Sequence, residues 1–295
     1  MKGMQRRILE SVRHPFSYSE PPLRRTMDHQ GDPGICGPNS ATWPIIGDAS
    51  AFVGGIRSLL IQTAHPEVVA GISDHSAYLS DPLGRLSRTA SYVTNTSFGS
   101  MQELGEAIAH VRTAHRPVSG TSHRGNAYSA GRPEHAAWVH NALTDSFVAA
   151  YHAFGPAPLF PAEADRFVRE QAKIGALLDA APMPRTAATL SDWIATHPDL
   201  APSPGMREVV AFLLDPPLPA KQKLGYRILL RAAIATIPSR ILGILEVETK
   251  RLDRSIGKTG VRTLRWAIGN SPSWKMALVR SGVEIPEGMF KQDSS

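Results

Sequence analysis

The segment with the densest candidate chemistry is Ser100–Pro117. Ser100 with Glu103 makes a capping box and Pro117 closes the run, so the spacing predicts a helix over 101–116. Met101, Leu104, Ile108, Val111 and His115 recur at intervals of three and four and share one face, while His110 points the other way. A histidine on an apolar stripe has two uses. The commoner one is a buried ring with a single hydrogen bond to a carbonyl; the other is an imidazole presented to an apolar cofactor slot, as a haem iron requires. His140 is a rival on a second helix, on one face with Leu143, Phe147, Tyr151 and Phe154, and periodicity alone does not separate the two. His65 precedes a proline at a helix boundary and His75 ends the following helix, positions where capping or hydrogen bonding is the ordinary role.

Arg85, Arg88, Thr89 and Tyr92 stand at i, i+3, i+4 and i+7, with Leu86, Ala90 and Val93 turned away. No Asp or Glu shares that face. Guanidinium groups stay charged and match carboxylates bidentately, so the stripe suits haem propionates or the polarisation of oxygen bound to iron; a solvated basic face is the plainer reading. Other chemistries fail on spacing. There is no His-Glu-x-x-His for a zinc hydrolase and no Glu-x-x-His pair for a di-iron bundle. Cys-x-x-Cys-His and Gly-x-Ser-x-Gly are also missing. The Gly31–Ser40 loop lacks the Gly-Lys-Ser/Thr ending of a phosphate loop. Non-covalent haem is the cofactor best suited to these residues.

The elements that must position them are helices. The chain has 295 residues, 42% hydrophobic and 20% charged, which excludes disordered, collagen-like and disulfide-scaffold classes. Residues 1–30 read as a flexible basic arm and 31–295 as one all-α domain, since the loop at 181–187 does not resemble a long linker between two lobes. Helices are predicted near 50–64, 66–78, 83–98, 101–116, 134–154, 162–180, 188–197, 205–215, 221–236, 239–256, 260–269 and 272–282. Prolines 66, 82, 117, 133, 156, 161 and 272 punctuate them. Strand content should be small. Cys36 is alone, so no internal disulfide or thiolate cluster can form. Two asymmetries stand out. Ten of eleven histidines lie at or before His152, and residues 221–281 carry 13 Lys/Arg against 3 Asp/Glu within a net charge of +6.

The run Gly54-Gly-Ile-Arg-Ser-Leu-Leu-Ile-Gln-Thr-Ala-His65-Pro66, followed by Gly71-Ile-Ser-Asp-His75-Ser76, resembles the opening of the MpaB-type oxygenase family, which includes the rubber oxygenases. The likeness continues through Arg85-Leu-Ser-Arg88-Thr89, Val111-Arg-Thr-Ala-His115-Arg-Pro-Val118-Ser-Gly120, Tyr128-Ser-Ala130 and Trp138-Val-His140, and covers about 35–180 well. It implies a helical fold around haem b, with His115 as the proximal iron ligand and Arg85, Arg88 and Thr89 on the distal or propionate side. Rubber oxygenases have lysine where this chain has Arg88. They also use a glutamate base that has no clear counterpart here, Glu67 being the nearest acidic residue.

The expectation is therefore a haem b-dependent oxygenase using molecular oxygen on an apolar, isoprenoid- or lipid-like substrate. The alternatives are a non-catalytic haem or lipid carrier on the same fold, or a basic binder acting through residues 221–281. For that segment an anionic membrane surface fits better than nucleic acid, because Trp266 and Trp274 are interleaved with dispersed cations. Lacking an apolar run of spanning length and a signal-peptide core, the chain is expected to be cytoplasmic, or peripheral to a membrane.

Overall fold

The computed structural model describes residues 22–75 and 82–291, with the side chains of 82–86 and 221 outside that description. The described residues form thirteen α-helices and one small hairpin. In order the helices are α1 (Thr42–Gly47), α2 (Ala51–Thr63), α3 (Pro66–His75), α4 (Pro82–Phe98), α5 (Met101–His115) and α6 (Pro133–Phe154). They continue as α7 (Pro161–Ala176), α8 (Ala187–Thr196), α9 (Pro204–Leu214), α10 (Ala220–Ile234), α11 (Ser239–Leu245), α12 (Asp253–Ile268) and α13 (Pro272–Arg280). Strands β1 (Ser119–Thr121) and β2 (Ala127–Ser129) pair antiparallel, Gly120 opposite Tyr128, and lie against α3. The fold is mostly helical and a single domain.

α2 and α6 are the axis of the molecule. α2 is buried on nearly every side, from Val53 through Thr63, and α6 buries residues along its whole length. A helix enclosed on all faces has no solvent stripe to display, so its few polar groups must pair with one another. Arg57 on α2 accordingly donates to Asp145 Oδ2 on α6 at 2.6 Å, to Ser146 Oγ at 2.8 Å and to the Thr236 carbonyl at 3.3 Å. The indole of Trp138 donates to the Gln62 carbonyl at 3.2 Å. Close approach of the two helices is set by Gly54, where a Cβ would lie 2.6 Å from the Phe147 ring and 3.2 Å from its Cα.

α9, α10 and α12 extend this core on one side. A second apolar cluster gathers Trp43, Phe98, Phe147, Phe167 and Trp274 on the other. Of the basic arm expected over 1–30, residues 1–21 lie outside the described residues. Residues 22–30 include a 3-10 turn (Thr26–Asp28) with Leu23 and Thr26 buried. Arg280, fully buried on α13, holds this segment. Its guanidinium donates to Thr26 Oγ1 and the Phe98 carbonyl at 2.6 Å each and to the Asp32 carbonyl at 2.7 Å.

Three elements depart from expectation. The helix foreseen over 239–256 is interrupted: α11 stops at Leu245, Glu246 turns left-handed at φ 57, and the Val247 N–H returns to the Leu242 carbonyl at 3.1 Å. Glu246 is held there by a bidentate pair with Arg207 from α9. α12 then starts early, at Asp253, whose carboxylate takes the Lys250 N–H at 2.8 Å and Arg231 at 2.9 Å. The short α1, not foreseen, has its first N–H groups and the Thr42 hydroxyl collected by Glu170 of α7 at 2.8 to 3.2 Å.

Candidate functional site

α4 and α5 pack together across a two-residue turn at Gly99-Ser100. The expected capping box is present: Ser100 Oγ accepts the Glu103 N–H at 3.1 Å, and Glu103 Oε2 accepts the Ser100 N–H at 2.9 Å. Of the apolar stripe on α5, Leu104 and Ile108 are buried, Val111 is half-buried, and the two ends, Met101 and His115, are exposed. His115 is exposed on the final turn of α5, beside the exposed Arg112, Thr113 and Arg116. Arg112 ties the turn down, donating to the Leu177 carbonyl at 2.8 Å and pairing with Asp179 at 2.8 Å. The His115 ring makes no hydrogen bond to any described residue, and partial desolvation lowers its pKa, which favours the neutral form.

On α4, Ser87 is buried, Arg88 is exposed and Thr89 and Tyr92 are half-buried, so the face bearing Arg88 and Thr89 is turned towards solvent. Arg85 is placed on the same helix, its side chain outside the described atoms. The Tyr92 hydroxyl is buried without a hydrogen-bond partner among the described residues, and burial raises its pKa. An imidazole held neutral and without a partner among the described residues is the kind of donor a haem iron takes, and on the neighbouring helix the buried Tyr92 phenol also lacks a partner among them. The same cannot be said of His140. Its Nε2–H donates to the Gln171 carbonyl at 2.8 Å, its ring is buried, and a Cβ on Gly175 would meet that ring at 2.9 Å. Burial pushes its pKa down to about 4 despite that bond. His140 holds α6 against α7.

Glu67, on the first turn of α3, is committed elsewhere. Its oxygens accept from Ser122 Oγ at 2.9 Å, Asn126 Nδ2 at 3.2 Å and the Arg124 guanidinium. Burial alone would raise its pKa, but these donors outweigh that and hold it at about 2, far too low for a general base near neutral pH. Beside it lies a cluster that sequence spacing does not reveal. The His65 ring is 5.5 Å from those of both His135 and His197, and Trp138 meets His197 at a tilt and Trp193 edge-on, at 5.0 and 4.7 Å between centroids. Burial, then the neighbouring imidazoles, push His65 down to about 4. Successive members of this trio are separated by some sixty to seventy positions along the chain, so only the fold brings them together. Cys36 is no nucleophile: burial pushes its thiol up to about 12.

No curated protein and no solved structure gives a significant match to the chain. Residues 43–268 match the family described as ER-bound oxygenase mpaB/B'/rubber oxygenase, catalytic domain. That span runs from α1 to the last residue of α12 and takes in both α4 and α5, along with the whole α2–α6 axis. The chain therefore belongs to the MpaB/rubber oxygenase family, and its helical domain is an oxygenase catalytic domain.

Proposed function

We propose that the protein is a haem b-dependent oxygenase that uses molecular oxygen on an apolar, isoprenoid- or lipid-like substrate, with His115 as the proximal iron ligand. The observation that carries this reading is the contrast between two imidazoles: the exposed His115 ring has no partner among the described residues, whereas His140 is spent on a backbone carbonyl. Haem iron would supply oxygen binding and activation at this site. His115 would anchor it through a neutral nitrogen. Arg88 and Thr89, with Arg85 on the same helix, would pair propionates or donate to charge that develops on the distal side, where fixed donors act strongly. Arg88 keeps the positive charge of a lysine at that place but, as a guanidinium, has no lone pair to offer iron.

Loss of the Soret band in His115→Ala, with the band kept in His140→Ala, is the expected pattern, and the reverse would sink the assignment. A colourless protein that stays colourless after haem is added would overturn the haem reading altogether. A non-catalytic carrier on this fold would show the haem spectrum without oxygen-dependent turnover of any apolar substrate.

One observation favours a protein that also works at the surface of a membrane. On and just before α12, Leu252 is 63% exposed and Ile256 43%, among exposed Arg251, Arg254, Lys258 and Arg262. Apolar side chains interleaved with cations suit an anionic surface that stores an apolar substrate. Among the described residues no helix is long and apolar enough to cross a membrane. Binding to anionic vesicles that weakens steeply with salt, and fails with neutral vesicles, is the expected result.

A further inference from the structure

The haem reading leaves the cluster around His65 without a task. His65 sits at the corner between α2 and α3, and His197 and Asp199 lie in the loop between α8 and α9. One donor atom from each of the three lies within 4.8 Å of the others. The geometry points to a divalent transition-metal site built from His65, His197 and Asp199, tying the α8–α9 loop to the α2–α3 corner.

The donor chemistry is specific enough to name the class of ion. Two imidazoles and one carboxylate suit zinc or ferrous iron; the oxygen-rich shells of calcium and magnesium are not present. A buried donor also lacks a partner. His65 is 4% exposed and its Nδ1 has no hydrogen bond. The nearest carboxylate oxygen, Glu67 Oε2, is 3.4 Å away, and Glu67 already serves Ser122, Arg124 and Asn126.

The loop is held in place independently of any ion. Arg240 Nη1 donates to the carbonyls of Ala195 and His197 at 2.9 and 3.1 Å, and the Ala201 N–H donates to the Ala64 carbonyl at 3.1 Å. Arg124 Nη1 reaches the Asp199 carbonyl at 3.3 Å. The indoles of Trp138 and Trp193 set the plane of the His197 ring. Donors on one tetrahedral zinc stand roughly 3.3 Å apart, given bonds of ~2 Å. Drawing the three atoms together is therefore a matter of side-chain rotation, above all of Asp199, which is exposed and forms no ion pair among the described residues. With three protein donors, water would complete a tetrahedral shell.

The test uses tag-free, full-length protein stripped with a chelator and titrated with zinc, followed by calorimetry and thermal melting. Wild type should take up one zinc per chain and melt at a higher temperature with it. Asp199→Asn and His197→Ala should each bind at least ~10-fold more weakly, since even outer residues around a metal site are worth that much. Both should lose the zinc-dependent rise in melting temperature. The metal-free variants should melt near the metal-free wild type, because neither side chain is fully buried. His123→Ala, an exposed histidine outside the cluster, should bind zinc as wild type does. No saturable uptake by wild type, or unchanged uptake by Asp199→Asn and His197→Ala, would overturn the site. The Soret band is a separate readout, so failure here leaves the haem reading untouched, and the converse holds.

Discussion

The open end of α5 and the α6–α7 interface each present a histidine from an apolar helical stripe, and they treat it in opposite ways. At the interface the ring of His140 is enclosed, its proton is given to the Gln171 carbonyl, and Gly175 makes room for it. At the end of α5 the ring of His115 is exposed and unpaired among the described residues, on a turn pinned by Arg112. Satisfaction is the sign of a structural residue. Water satisfies an exposed ring, so the end of α5 keeps a nitrogen that a ligand can take up without breaking a bond inside the protein.

The largest expected effect that would break this contrast is total: His115→Ala should abolish the Soret band while shifting the melting temperature by only a few degrees, since an exposed side chain contributes little to folding. A collapse of stability instead would place His115 among the structural residues. Next comes the axis that supports both sites. Asp145→Ala leaves the Arg57 guanidinium buried without its carboxylate and should cost about 3–5 kcal/mol in denaturant unfolding.

His140 adds a pH signature of its own. Its folded pKa of about 4 lies below the ordinary 6.5, so the unfolded chain binds the proton more readily. Stability should therefore fall as pH drops from 6.5 towards 4, by a few kcal/mol at most, and level off below. His140→Gln should flatten that limb in urea titrations at stepped pH; an unchanged slope would show that this ring is not what acid attacks. The smallest effect is at the start of α5. Ser100→Ala removes one half of the capping box and should cost ~1 kcal/mol, with weaker haem retention if the helix frays up to the His115 turn.

Helix positions were readable wherever a proline or a local cap stated them, as at Pro66, Pro133, Ser100 and Pro272. Boundaries set from afar were not. The stop at Glu246 depends on Arg207, thirty-nine residues earlier, and α1 depends on Glu170, about 130 residues later. The candidate site divides in the same way. Spacing along single helices put His115 and His140 forward alike and set Arg88 with Thr89 on one face, and the family resemblance chose His115; the exposure of His115 follows from neither, because periodicity gives a face and not what covers it. His65, His197 and Asp199 were beyond reach, since their proximity depends on how the loop after α8 folds against the α2–α3 corner.

Arg280 bears on how this domain should be cut. The family match ends at residue 268, yet the guanidinium that closes on the Thr26 hydroxyl and on the Phe98 carbonyl, the last residue of α4, lies twelve positions further on. A fragment trimmed to the shared segment would lose both Arg280 and Thr26 and strand the Phe98 carbonyl at the root of the α4–α5 hairpin. Shared ancestry and cooperative folding thus draw different borders here, and an expression fragment should follow the second.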